Sequence, residues 1–360
     1  MNRTSVRYAP GKLFVLGEYA VLEPGVPALL ATVNRGVTVS VTAADEDLVI
    51  HSDLTDRPAR LSRRASGLPA NAGPVVAAVQ VVTELLAEWD LPAPRVELCI
   101  QSGLHDYGVK YGLGSSGAVM VATIDALLAH CGVSLCIEER FRLAMLASAR
   151  LDVRSSGGDL AASTYGGWIV YQAPDRTAVV EFARAKGVRE ALQAPWPGFD
   201  VYRVPSPRDL VIVIGWTGTP SSTSDHVSAG VAHDWHGSAD HCEFVSQSTD
   251  CVTTAAAALG DGEDSALLGE IRRARRLLAN ADSQGGLGLF TGGLTAMCDA
   301  AESVGGAAKP SGAGGGDCGI AFLEPHQGAL SHMRDRWLEA GIVPLPFRTY
   351  QSERTCARDR

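Results

Sequence analysis

The feature that most constrains this chain is Lys110-Tyr111-Gly112-Leu113-Gly114-Ser115-Ser116-Gly117, a glycine-rich loop that runs straight into the apolar stretch Ala118–His130. The spacing of that stretch predicts a buried helix. Glycines let a loop turn its backbone N–H groups inward without Cβ clashes, and the helix start adds a partial positive charge. Together they make an anion cradle, to which Ser115 and Ser116 add hydroxyls that can bond phosphate or ligate Mg²⁺. The same residues also read as a Gly/Ser turn that merely caps a helix. Their spacing matches the dinucleotide fingerprint G-x-G-x-x-G, but the context does not. The preceding strand, Arg95–Ser102, stops about ten residues too early, and a second helix, Ile137–Leu151, stands where a βαβ unit needs a strand. No Gly-Lys-Ser/Thr follows the glycines, which excludes a Walker A loop.

Three further segments carry chemistry. Lys309-Pro310-Ser311-Gly312-Ala313-Gly314-Gly315-Gly316-Asp317 lies between an apolar helix pattern, Leu287–Val304, and an apolar strand, Cys318–Leu323. So many glycines predict close backbone approach to a ligand, or a hinge. Ala9–Tyr19 places Lys12 at the mouth of a buried strand, Leu13–Leu16, where it is partly desolvated or else snorkels to the surface. In Ser155-Ser156-Gly157-Gly158-Asp159, Asp159 enters a short helix either as its N-cap or as a base or charge partner beside a reacting group.

Composition sets the bounds. A chain of 360 residues with 46% hydrophobic and 20% charged residues folds as a packed protein, and its length suits two domains. The net charge of −9 lacks a basic footprint for nucleic acid. Of 31 basic residues only four are Lys (Lys12, Lys110, Lys186, Lys309), and three of these adjoin glycine-rich segments, where a compact point charge suits phosphate. The eight Cys form no C-x-x-C, no paired His spacing completes a zinc site, and most Cys sit in apolar stretches, predicting buried reduced thiols. The start of the chain has no apolar h-region and no apolar run is long enough to cross a bilayer, which predicts a soluble cytoplasmic protein.

Strands are read at Leu13–Leu16, Thr38–Val41, Leu48–His51, Gly167–Gln172, Leu210–Trp216 and Val343–Phe347, and helices at Pro74–Glu88 and Ala329–Ala340. Ser221–Ala281 reads as mostly helical with a polar break near Asp261–Asp264. The four prolines of Ala194–Pro207 mark the best domain boundary, giving domains 1–195 and 196–360.

Three of these segments, in this order, resemble the motifs of the GHMP kinase superfamily, whose members phosphorylate galactose, homoserine, mevalonate and phosphomevalonate. APGKLFVLGEYAVL (Ala9–Leu22) matches the first motif, GLGSSGA (Gly112–Ala118) the second and KPSGAGGGDCGIAF (Lys309–Phe322) the third. Within the superfamily the chain is most similar to the bacterial branch that acts on phosphomevalonate, through KYGLGSSGAV, GGDLAAS, IGWTG at Ile214–Gly218 and AKPSGAGGGDCG. It departs from mevalonate kinases, which usually read GEH where this chain has Gly17-Glu18-Tyr19. Those enzymes also carry a metal-binding Glu about three helical turns before the catalytic Asp, near Ser148 here.

The resemblance implies an α+β fold in two lobes, an N-terminal domain with a left-handed βαβ crossover and a C-terminal ferredoxin-like domain, with the site between them. It implies transfer of the ATP γ-phosphoryl group to 5-phosphomevalonate, with Mg²⁺ accompanying ATP. Lys12 and Asp159 would be catalytic. Lys110, Gly112, Leu113, Gly114, Ser115, Ser116 and Gly117 would bind ATP, with Ser116 on the metal. Lys12, Ser155, Ser156, Ser222, Gly312, Ala313 and Gly314 would contact the acceptor. The partners implied are these small molecules, without nucleic acid or membrane, for a monomer or homodimer. Mevalonate or another small alcohol as acceptor, and a non-catalytic sensor on the same fold, are the competing readings.

Overall fold

The computed structural model describes residues 4–45, 48–55, 57–60, 73–106, 108–218, 235–316 and 318–349. Its N-terminal lobe is built on a seven-stranded sheet ordered β4-β3-β5-β2-β8-β9, with β1 paired to β2. These strands are β1 (Ser5–Leu16), β2 (Pro27–Ala43), β3 (Leu48–Ser52), β4 (Ala59–Arg60), β5 (Val96–Ser102), β8 (Trp168–Gln172) and β9 (Asp200–Val204). A separate hairpin, β6 (His105–Asp106) and β7 (Val109–Lys110), fills the gap between β5 and the glycine loop.

β2 is the spine of the lobe. Over Pro27–Val33 every side chain is buried, and over Val37–Val41 Val37, Val39 and Val41 point inward while Thr38 and Ser40 are less covered. Only the second half carries the period of two that marks a half-buried strand, so sequence patterning finds Thr38–Val41 and misses the rest. β3 and β5 run parallel with α1 (Gly73–Glu88) between them, which forms the βαβ crossover unit. α2 (Ser115–His130) and α4 (Gly158–Tyr165) pack on β1 and β2, and α1 and α3 (Ile137–Ala149) pack on α2. Two shorter helices, α5 (Arg176–Lys186) and α6 (Val188–Gln193), lead to β9.

The C-terminal lobe begins at β10 (Val211–Trp216) and continues through α7 (Ala239–Asp261), α8 (Asp264–Gly285) and α9 (Gly292–Glu302). It closes with β11 (Ala307–Pro310), β12 (Cys318–Leu323), α10 (Gln327–Glu339) and β13 (Val343–Leu345). The four strands form an antiparallel sheet ordered β11-β12-β10-β13, the β-α-β-β-α-β arrangement of a ferredoxin-like domain. Trp337 of α10 is fully buried against this sheet and donates its indole N–H to Met297 O at 3.0 Å. A separate apolar cluster of Tyr19, Ala20, Trp235, Phe244, Leu278 and Leu289 seals the seam between the lobes.

Several sequence expectations shift. The division expected at 195/196 falls short of β9, whose pairing with β8 carries the large sheet on to Val204. The helix expected over Leu287–Val304 spans Gly292–Glu302, because Leu287 and Leu289 leave the helical path to fill the seam. The break near Asp261–Asp264 is real, with Gly262 left-handed at φ 75°. Lys309 and Pro310, read as loop, belong to β11. Cys251, Cys298 and Cys318 are buried as expected, but Cys99, Cys136 and Cys242 are exposed. An apolar stretch does not say which face each member takes. Cys99 sits on the outer side of β5 between buried Leu98 and Ile100, and Cys136 caps α3.

Candidate active site

The loop Gly112–Gly114 leads directly into α2, with Gly114 as the N-cap residue at φ 75°. The first-turn amides and the helix dipole therefore face outward at one point, into a cavity of about 430 Å³ between the lobes. Two glycines in this turn are required by their neighbours. A Cβ at Gly114 would lie 2.8 Å from Lys12 Cγ, and one at Gly117 would lie 2.5 Å from an Asp159 carboxylate oxygen. The sequence must leave these positions bare so that the helix start, Lys12 and Asp159 can meet.

Lys12 is 7% exposed although it carries a charge. Its backbone N–H donates to Leu113 O at 2.8 Å, which fastens β1 to the glycine loop. Its ammonium lies 3.5 Å from Gly112 O, 5.1 Å from the Phe14 ring centroid, and beside Gly312 of the third motif. Lys12 thus stands between the two glycine loops. Asp159 lies in the first turn of α4, which is held by Ser163 Oγ donating to Pro10 O at 2.7 Å and by Tyr171 OH donating to Ser156 O at 2.7 Å. Burial pushes the Asp159 carboxyl above its ordinary range; the nearby Lys12 charge and the amides of Leu160 and Gly117 act in the opposite direction.

The third motif is locked to the first by buried bonds. Glu18 and Lys309 form an ion pair whose side chains are 3% and 0% exposed, and Lys309 Nζ also donates to Pro310 O at 2.7 Å. Tyr19 OH donates to Ala313 O at 2.6 Å, and Ser311 Oγ donates to Phe14 O at 2.9 Å. Tyr19 adopts φ 62°, an uncommon conformation for a non-glycine residue, and the bond to Ala313 holds it there.

Of the residues singled out from the sequence, Lys12, Lys110, Gly112, Gly114, Ser115, Ser116, Gly117, Ser155, Ser156, Asp159, Gly312 and Ala313 all line this one cavity. Leu113 and Gly314 do not: Leu113 is 1% exposed and contributes its carbonyl to Lys12, and Gly314 packs on Leu289. Ser222 lies outside the described residues. The structure adds wall residues given no site role from the sequence: Glu18 and Tyr19 within the first motif, and Ser148, Asp152 and Arg154 outside the motifs. Arg154 is exposed at the wall, its Nε 3.1 Å from Asp152 Oδ1. It lies one residue before Ser155, and a cation beside a hydroxyl pair was the available signal. Glu18 carried no such signal, because its partner comes from the other lobe.

The donor set suits a magnesium–nucleotide complex. Ser115 and Ser116 at the start of α2, Ser148 on α3 and the Asp159 carboxylate offer oxygens only, as a hard cation requires, and the cavity leaves room for water and phosphate ligands.

The chain belongs to the GHMP kinases. The family model for the GHMP kinases N terminal domain matches residues 74–167, and that for the GHMP kinases C terminal domain matches residues 264–342. The chain is 53% identical to the phosphomevalonate kinase of Streptomyces sp. (strain CL190), over 96% of this chain and 97% of that one. Among solved structures it is similar to the Lin0012 protein of Listeria innocua, with TM-score 0.88, 31% identity and coverage of 97% and 98% of the two chains. It is also similar to Streptococcus pneumoniae phosphomevalonate kinase in complex with phosphomevalonate and AMPPNP, with TM-score 0.85, 26% identity and coverage of 97% and 100%.

Proposed function

We propose that this protein transfers the γ-phosphoryl group of ATP to the phosphate of 5-phosphomevalonate, giving 5-diphosphomevalonate and ADP. The observation that carries the reading is the 53% identity to a phosphomevalonate kinase along nearly the whole of both chains. The cavity supports it, since it gathers the cradle, Lys12 and Asp159 in one place.

In this reading the first-turn amides of α2 hold the nucleotide phosphates, as a helix N-terminus holds anions generally. Ser116, with Ser115 beside it, is the protein contact for Mg²⁺. Held there, Mg²⁺ would supply positive charge that offsets the negative charge of the nucleotide phosphates. Lys12, placed between the two glycine loops, lies where donor and acceptor phosphates converge and offsets their repulsion. Ser155, Ser156 and Ala313 frame the acceptor end, and Lys110 serves either the nucleotide or the acceptor phosphate. Asp159 orients the acceptor and holds Lys12 in place. It is not needed as a base, because a phosphate acceptor with a second pKa of about 6 is already largely ionised near neutral pH.

The charges on the wall fit a doubly anionic acceptor. Glu18 is neutralised by Lys309 and Asp152 faces Arg154, which leaves Lys12 and Lys110 against Asp159 alone. A coupled ADP-release assay over 5-phosphomevalonate, mevalonate, homoserine and galactose tests the reading. Turnover is expected with 5-phosphomevalonate, and preference for any of the other three overturns the acceptor assignment.

A further inference from the structure

Glu23, His236 and His241 bring one carboxylate oxygen and two imidazole nitrogens within 4.8 Å of one another. The three residues come from both lobes. Glu23 directly follows the turn Ala20–Leu22 of the N-terminal lobe, whereas His236 and His241 flank the start of α7 in the C-terminal lobe. No spacing pattern in the sequence reveals the group, because its carboxylate lies more than two hundred positions from its imidazoles.

Two of the three donor–donor edges are close to those of a tetrahedral zinc site. Zinc bound to nitrogen and oxygen at about 2.0–2.2 Å sets neighbouring donors about 3.4 Å apart. Glu23 Oε1 lies 3.4 Å from His236 Nε2 and 3.8 Å from His241 Nε2, so one edge fits as it stands and the other needs a shift of a few tenths of an ångström. His241 is held in position: it is 8% exposed, its N–H donates to the Ser238 cap at 3.2 Å, and Trp235 packs edge-on at 4.8 Å. His236 is exposed and Glu23 half-buried, which leaves the fourth position open to water.

The donor set selects the metal. Two imidazoles and one carboxylate suit a borderline divalent ion such as Zn²⁺, whereas Mg²⁺ prefers oxygen ligands throughout. Gly237 N–H donates to His241 Nδ1 at 3.3 Å, so a metal on Nε2 would move the ring proton to Nδ1 and release that long bond. The affinity is accordingly expected to be below that of a purely structural zinc site.

We propose that Glu23, His236 and His241 form a zinc site that staples the two lobes along the seam beside the active-site cavity. Beneath it lies the apolar cluster of Tyr19, Ala20, Trp235 and Phe244, and the adjoining Val21 and Leu22 line the cavity itself. The site requires nothing of the phosphoryl-transfer reading.

The test is isothermal titration of chelator-stripped protein with zinc chloride alone, for the wild type, His236→Ala, Glu23→Gln and Cys242→Ser. One equivalent is expected to bind the wild type and Cys242→Ser, with at least a tenfold loss of affinity in His236→Ala and in Glu23→Gln. Zinc should raise the Tm of the wild type and leave that of His236→Ala unchanged, and excess Mg²⁺ should not displace it. His236 is exposed, so its replacement tests the site even if Glu23→Gln folds poorly. Equal binding by the wild type and His236→Ala, loss of binding in Cys242→Ser, absence of a one-equivalent transition, or displacement by Mg²⁺ would each overturn the proposal.

Discussion

Lys12 and Asp159 lie on different elements yet share one small volume with Gly114 and Gly117, and each acts through charge in a poorly solvated place. Lys12→Ala and Asp159→Asn are each expected to lower kcat by roughly 10²–10⁴-fold, the scale of lost electrostatic or proton-handling groups. Circular dichroism should show both variants folded, and near-wild-type kcat in both would make them structural residues. Asp159 also has a consequence for stability. Its carboxyl is pushed upward by burial, so the folded chain holds that proton more tightly than the unfolded chain. The resulting stabilisation is complete below the ordinary carboxylate pKa and is lost as pH rises through the raised, folded-state value. At neutral pH, well above the ordinary carboxylate pKa, burial of this carboxyl therefore works against folding. Asp159→Asn is expected to melt at a higher temperature than the wild type near pH 7, with the difference closing as pH falls below about 4. Melting curves at several pH values would show this, and a lower Tm for Asp159→Asn at pH 7 would contradict it.

At the scale of elements, the start of α2 divides its work between backbone and side chains. Phosphate binding is spread over several amides, while the proposed metal contact rests on the Ser116 hydroxyl. Ser116→Ala should therefore move the Mg²⁺ activation curve to higher concentration with little change in nucleotide affinity. An unchanged curve and maximum rate would leave Ser116 as a structural residue of the first turn. The turn after β1 and strand β11 are joined by the buried Glu18–Lys309 pair. Removing one partner strands the other charge in the interior. Lys309→Met is expected to destabilise the protein by about 3–5 kcal/mol, and Glu18→Gln with Lys309→Met should recover much of that loss. Urea unfolding of the single and double variants measures the difference. Equal stability of Lys309→Met and the wild type would mean that water reaches the pair.

For the whole molecule, the cavity exists only where the lobes close on each other. Its walls combine cations and hydroxyls from β1, β7, the α2 and α4 loops and the third motif. Such a pocket leaves its donors unpartnered when the acceptor has an alcohol in place of a phosphate. Discrimination should then exceed that of an apolar pocket, and kcat/KM is expected to favour 5-phosphomevalonate over mevalonate by about 10⁴-fold. Lys110→Ala should raise KM for 5-phosphomevalonate or ATP. Equal kcat/KM for both acceptors would remove the phosphate-site assignment and leave the kinase family membership standing. Among the described residues no helix is long and apolar enough to cross a membrane.

The chemistry of the site was legible in short segments. A glycine turn before an apolar helix, a lysine at a strand mouth and an aspartate at a helix entrance each have a local physical meaning, and the order of the three motifs tied them to one family. Helices and half-buried strands were legible because their periods are fixed by backbone geometry. The first half of β2 was not, because a strand covered on both faces loses the alternating pattern, and β9 was not, because it lies inside the proline-rich run that reads as a domain boundary. Nor did local sequence show Glu18 meeting Lys309 across 291 positions, Tyr19 held at φ 62° by Ala313, or Glu23 facing His236 and His241. Those contacts depend on how the seven-stranded and four-stranded sheets dock. The sequence alone determined which groups could bind phosphate; the packing of the lobes decided which of them share a cavity, because burial and Coulomb interaction depend on distance in space and not along the chain.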